Sequence, residues 1–586
     1  MLDPRIYRMG LVPVVLAVIV VAFSLSGQPS GLTTSLAPSA YSGADAYATM
    51  ISLARQFPRR QPGSLGDRRL ADLVASELRG DGFSVSTPRF GATTPVGTRS
   101  LENVIATRAG QENGSLVVVA PRDALGTPAA SQLSATAVLL QLAQVLSGET
   151  LQHTLILASV SGSVGGAGAV ALARTLPRPV DAVLVLGDLA APRVRQPVVV
   201  PWSDAQRLAP PLLRSTVAQA LSSQAGVASA GSSLLGQLAH LTLPMAPTAQ
   251  APLDAAGLPA VLVSLSGERP PAAHEQTSSS ALAGTGAAML EAVTALDGQP
   301  SLSPPAAYLT VAGNSVPGWA VRLLALALIV PVLMASIDGV ARARRRGAAI
   351  LSGVGWVLAG SLPCLAAALL AVLAVWVGAI PAAPPLPLGA GAIRLDDGQL
   401  AFLAGLACLI VAGSVWLRSP AGPLSGSGAS GERDAGPAAA LLSVMCVLAL
   451  ILWLANPFAA LLLAPALHLW LWVVAPEVRL PLGGSALLLM GGLALPLLIG
   501  AEYCLTLGLG PLQAAWSWVL LVGGGGYGAL GVLVWSVFVA CATGVLAIAL
   551  SAARQPRPEP VRVTIRGPIG YAGPGSLGGT RSALRR

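Results

Sequence analysis

The chain has 586 residues, of which 53% are hydrophobic and only 10% charged, with a mean hydropathy of +0.69. That is too apolar for an ordinary soluble protein, yet the first half is too polar for a membrane bundle alone, so the chain is mixed. The net charge of +9 does not indicate a nucleic-acid partner, because every basic residue is arginine and many sit in runs beside apolar segments, as at Arg342, Arg344, Arg345 and Arg346 and at Arg554, Arg557, Arg562 and Arg566. That placement marks the cytoplasmic ends of membrane helices.

Residues 1–26 hold a basic start and the apolar stretch 11–26, which reads as an N-terminal signal anchor. A cleaved signal peptide is the alternative, disfavoured by Pro38 at the minus-three position of a cut after Ala40. A Ser, Gly and Pro linker over 27–43 leads to an α/β domain over 44–297. Helical periodicity over "AYATMISLARQF" and "RRLADLVASELRGDG" precedes five apolar runs: "ENVIATR", "SLVVVA", "HTLILASV", "DAVLVLGD" and "AVLVSL". Helical stretches at 129–146 and 167–176 separate several of them, which predicts a mixed, largely parallel sheet between helices.

A second linker spans 298–317, followed by a multi-span domain over 318–552. Apolar segments near 319–337, 349–378, 400–417, 438–455, 457–475, 484–506 and 528–550 are each about the 20 residues a crossing helix needs. With the first span they make eight, and Pro363 predicts a kink or tilt in the long 349–378 segment. Residues 512–522 are too short to cross and read as interfacial or re-entrant. A cytoplasmic N-terminus then puts the α/β domain outside, and the "RARRR" loop and the C-terminus inside. The Gly-, Pro- and Arg-rich tail, 553–586, is expected to be disordered. All five cysteines fall in the apolar half as packing residues, so the α/β domain has no disulfide framework and no thiolate zinc site.

The motifs "RRQPGSLGDRRLADLVASELRGDGFSV", "LENVIATRAG", "VVVAPRDA", "PAASQLSATAVLLQLAQVL", "LILASVSGSVGGAGA", "VLVLGDLA" and "AAHEQTSSSAL" follow one another in an order that resembles the co-catalytic zinc aminopeptidase family. The resemblance covers roughly 44–297 and implies an aminopeptidase-like α/β fold, two zinc ions held by histidines and carboxylates, and a glutamate base. Matched residue by residue, the metal ligands fall on Pro121, Ser131 and Ser163 and the general base on Gly162. Asp188 and His274 remain as candidate ligands, and Asp123 as the remnant that would orient a lost histidine. No other histidine lies between 44 and 152, and no carboxylate lies between Glu149 and Asp181, so a small slip in alignment restores nothing. Two ligands are fewer than a stable zinc site uses.

Each survivor also has a structural reading: Asp188 as a turn cap, His274 as a solvated loop histidine, and Asp123 as a loop residue satisfying backbone donors. His153 and His240 read as edge or helix-surface residues, and His468 as intramembrane or, beside Trp470 and Trp472, interfacial. Serine chemistry from "SVSGSVGGAG" lacks the G-x-S-x-G signature.

The whole-chain layout is similar to that of the Gaa-type subunit of the GPI transamidase, which implies a binding or scaffold role in a membrane complex without a cofactor. Expected partners are the lipid bilayer, other membrane proteins and a peptide or small polar ligand in the α/β cleft. The alternatives are a divergent membrane-bound zinc aminopeptidase and a transport or lipid-handling protein regulated by the α/β domain.

Overall fold

A computed structural model describes residues 4–34, 40–125, 128–228, 231–271, 275–299, 302–381, 383–384, 387–393, 395–418, 435–475, 478 and 480–554. The expected α/β domain forms around a seven-stranded mixed sheet. Its strands are β1 (Ser84–Ser86), β2 (Val104–Arg108), β3 (Ser115–Pro121), β4 (Thr154–Val160), β5 (Ala182–Leu186), β6 (Val199–Val200) and β7 (Ala260–Val263), in the spatial order β1-β2-β4-β3-β5-β7-β6. The inner four, β4-β3-β5-β7, are parallel, and antiparallel strands close both edges.

The unbroken apolar runs follow from burial on both faces. Leu116, Val118 and Ala120 of β3 enter one core, while Val117 and Val119 enter the other. The first core is covered by α1 (Gly43–Gln56), α2 (Leu65–Gly80), α3 (Ser134–Leu146), α5 (Pro211–Ala225) and α8 (Ser279–Asp297). Ser42 and Ser64 start α1 and α2 by accepting the N–H groups of Asp45 and Asp67. The second core is covered by α4 (Ala167–Thr175), α6 (Leu234–Thr242) and α7 (Gln250–Ala255), and it runs on into Ala320, Val321 and Phe458 of the apolar helices. One hydrophobic cluster therefore belongs to both halves of the molecule.

Among the described residues, eight helices are long and apolar enough to cross a membrane: Ile6–Phe23, Gly318–Arg345, Ile350–Trp376, Asp397–Leu417, Gly436–Ala455, Pro457–Val474, Leu482–Leu507 and Ala529–Arg554. The third breaks after Ala359 and resumes at Leu362, with Pro363 in its first turn. Arg418 donates to the carbonyls of Trp356 and Val357 beside the break, and its guanidinium lies 4.1 Å from the Trp356 ring centre. The helix Pro511–Gly523 has 13 residues, too few to cross.

Trp470 is buried against Phe538 within the bundle, and His468 bonds the Tyr7 hydroxyl and the Leu328 carbonyl. One expectation about histidine positions is corrected. His153 and His240 are buried rather than at an edge or surface, because each meets a buried carboxylate, Asp297 and Glu268 respectively. The Arg-rich tail beyond Arg554 lies outside the described residues.

Candidate functional site

The four parallel strands deliver their following loops to one edge of the sheet, where α/β folds place ligands. β3 ends on Pro121, and the next residue, Arg122, turns inward and is 0% exposed. A buried guanidinium needs a full set of acceptors. Its Nε lies 2.8 Å from Asp67 Oδ1, and its other nitrogens donate to the Ser159 carbonyl at 2.8 Å and to the Glu102 carbonyl. Asp67 Oδ2 accepts the Gly63 N–H at 2.9 Å and the Ser161 hydroxyl at 2.6 Å. One ion pair thus ties the start of α2, the end of β3 and the end of β4.

Asp123 is buried, and its two oxygens accept the backbone N–H of Ser163 at 3.0 and 3.2 Å. Burial, with Asp67 nearby, pushes its carboxyl up to about 6, against the opposing Ser163 N–H and Arg122 charge. Arg60 lies close enough to Asp123 to feel its charge; burial brings the guanidinium down to about 10. Arg60 donates to the Ala129 carbonyl and the Gln132 side chain, and its own carbonyl accepts the Ala124 N–H.

Gly162, where the sequence resemblance would put the general base, has φ +76°, and a Cβ there would meet Leu101 Cδ1 at 2.6 Å. A glutamate in this backbone is disfavoured twice, by the left-handed conformation and by contact. On the far side of the site, Asp188 Oδ1 accepts the Ala190 N–H at 3.0 Å and Oδ2 accepts the Ser266 hydroxyl at 2.6 Å. The buried Ser131 faces the same carboxylate without making a full hydrogen bond. Burial raises the Asp188 carboxyl and Glu275 adds to the shift, while Ser266, Ala190 and Ser131 oppose it.

The candidate residues therefore meet as two pairs, Asp123 with Ser163 and Asp188 with Ser131, and His274 lies outside the described residues. No group of three or more His, Cys, Asp or Glu that could hold a metal occurs among the described residues.

The same loops reach the bundle. Val164 packs against the cluster of Ile380, Leu388, Trp516 and Leu520. Gly165 abuts Pro384 so closely that a Cβ would come within 2.5 Å of it. In the loop after β7, Ser266 holds Asp188, Glu268 meets His240, and Arg269 caps the Leu482–Leu507 helix through the carbonyls of Leu505 and Thr506.

α6 completes the joint. Asn456 donates to the Leu241 and Thr242 carbonyls at its end, while its Oδ1 accepts the Phe458 and Ala459 N–H groups that open the next helix. Sequence reasoning missed Arg122, Asp67, Glu268 and Asn456. Each of the first three has a charged neighbour in sequence (Asp123, Arg68 and Arg269 respectively), so nothing local marked it as buried.

No protein-family model and no curated protein matches the chain. Among solved structures it is similar to a glutaminyl cyclase from an Acidobacteriales bacterium at 17% identity, over 45% of this chain and 97% of that one, with a TM-score of 0.36. It is similar to a zinc aminopeptidase from Bacillus subtilis at 11% identity, over 43% of this chain and 94% of that one, with a TM-score of 0.34. A leucine aminopeptidase precursor from Bacteroides thetaiotaomicron matches at 12% identity over 46% of this chain and all (100%) of that one, with a TM-score of 0.36. These identities are too low to carry a residue's role from one chain to another.

Proposed function

We propose that this is a multi-pass membrane protein whose α/β domain, aminopeptidase-like in its sequence motifs, lies outside the cell membrane as a catalytically degenerate binding or scaffold module. What carries this reading is how the loops at the sheet's carboxyl edge use their polar groups. Asp123 is occupied by the Ser163 N–H, Asp188 by Ser266 and Ala190, and Val164, Gly165 and Arg269 meet the bundle. Such an edge does not fit a zinc pair: Pro121 offers no donor side chain, Ser131 and Ser163 replace anionic ligands, and the base position is a left-handed glycine. The likeness in layout to the Gaa-type subunit bears only on the kind of role, assembly or presentation within a membrane complex.

The test is hydrolysis of a panel of N-terminally free and N-terminally glutaminyl peptides by the purified full-length protein, with and without added zinc. Turnover indistinguishable from that of Asp188→Asn is the expected result. Turnover that needs zinc and is lost in Asp188→Asn would establish the divergent aminopeptidase instead.

A further inference from the structure

The joint between the domain and the bundle contains a buried polar cluster that the proposed role does not use. On α6, His240 Nε2 lies 3.2 Å from Glu268 Oε1, with the two side chains 3% and 1% exposed. Trp202 stacks on the imidazole at 4.4 Å, and its indole N–H donates to the same Glu268 oxygen at 2.6 Å. From the bundle, the Tyr503 hydroxyl donates to the Leu243 carbonyl just past α6, and His240 Nδ1 is 3.5 Å from it.

The charges facing this point are unbalanced. Asp204, whose Oδ1 accepts the Ala246 N–H, lies close enough to feel the charge of His240. Asp254 of α7, 0% exposed, stands behind Asp204. Glu502 approaches α6 at Gly236, and Tyr527 adds a second phenol beside Tyr503. Arg269 is next in sequence to Glu268 but spends its guanidinium on helix-end carbonyls. Among the described residues, His240 is the one basic side chain paired with Asp204, Asp254 or Glu268. Glu268 Oε2 and Asp254 Oδ2 are buried and accept no hydrogen bond.

We propose that His240, Glu268 and Asp204, clamped against Tyr503, form a protonation-dependent latch that holds the α/β domain on the bundle at mildly acidic pH and loosens at alkaline pH. His240 and Glu268 meet at the contact with Tyr503, and the carboxyls of Asp204 and Asp254 beside them bring negative charge into the joint when they ionise, which is costly where water is excluded.

Burial also pushes Asp204 up to about 7 and Asp254 upward. A carboxyl raised in the docked state holds its proton more tightly docked than released. Docking is therefore favoured at low pH, and the advantage is lost as pH rises toward about 7. For Asp204 alone, ionised throughout when released, opening grows about tenfold between pH 6 and pH 8.5 and then levels off. The latch is independent of whether the domain hydrolyses anything, so activity in the peptide panel would leave it standing.

Amide hydrogen exchange on the full-length protein in lipid nanodiscs, normalised for intrinsic rates, tests it at pH 6 and pH 8.5. Protection over residues 236–245 is expected to fall about tenfold or more at the higher pH, while residues 115–121 of β3 stay protected. Asp204→Asn should remove its tenfold share of the pH dependence, and His240→Gln, which removes the partner of Glu268, should leave 236–245 less protected than the wild type at both values. Equal wild-type protection at the two pH values, an unchanged pH dependence in both variants, or parallel loss over 115–121 would overturn the proposal.

Discussion

Replacing Arg122 with methionine removes the cation from the most enclosed ion pair of the α/β domain. The guanidinium is 0% exposed, lies 2.8 Å from Asp67, and also satisfies the Ser159 and Glu102 carbonyls. Methionine fills similar volume, so the loss is electrostatic: a buried carboxylate without its partner and carbonyls without a donor. Breaking a buried pair from one side costs about 3–5 kcal/mol. For a domain of roughly this size each kcal/mol moves the midpoint by about 2–4 °C, so a fall of roughly 6–20 °C is expected. Differential scanning fluorimetry of the full-length protein in detergent reads the shift. Arg122→Met combined with Asp67→Leu should be less destabilising than Arg122→Met alone, because no orphaned charge remains, although Gly63 and Ser161 then lose an acceptor. A shift below about 1 °C in the single variant, or a double variant that is simply additive, would refute the reasoning.

Asn456→Ala removes an N-cap and the donors to α6 at once, and should cost about 1–3 kcal/mol; limited proteolysis between residues 225 and 250 should accelerate. Asp123, raised to about 6 in the folded chain, penalises folding progressively from its ordinary value near 4 up to about 6 and uniformly above it. Thermal midpoints should therefore fall over that window in the wild type and fall less in Asp123→Asn, whose amide oxygen can still accept the Ser163 N–H. Gly162→Glu, which restores the base in sequence terms, should yield no hydrolysis and lower stability by at least roughly 1–2 kcal/mol, the cost of a left-handed non-glycine residue, with the contact against Leu101 adding to it. The peptide panel and a melting curve check both halves.

The strands of the sheet core and the eight apolar helices were legible because each obeys a local rule: buried runs such as Val117–Val119 for strands, and length with apolarity for helices. The hairpin Arg89–Thr94 with Gly97–Glu102 was not, since its strands are polar and partly exposed and leave no apolar run. α6 was missed for another reason. Its nine residues matter through Asn456, Thr310 and Tyr503, which are distant in sequence and carry no local signal of the contact. At the site, sequence comparison marked Gly162, Ser131 and Ser163 as replaced positions but could not say what their neighbours do. That Asp123 turns to a backbone N–H, and that Arg122 points inward rather than to solvent, depends on the three-dimensional return of residues 159–163 to residues 121–123.

Metal content of the purified full-length protein after dialysis against zinc tests the central claim most directly. Inductively coupled plasma mass spectrometry should find no stoichiometric zinc, and Asp188→Ala should match the wild type. One or two zinc ions per chain, lost in Asp188→Ala and in His274→Ala, would contradict the account and restore the aminopeptidase reading.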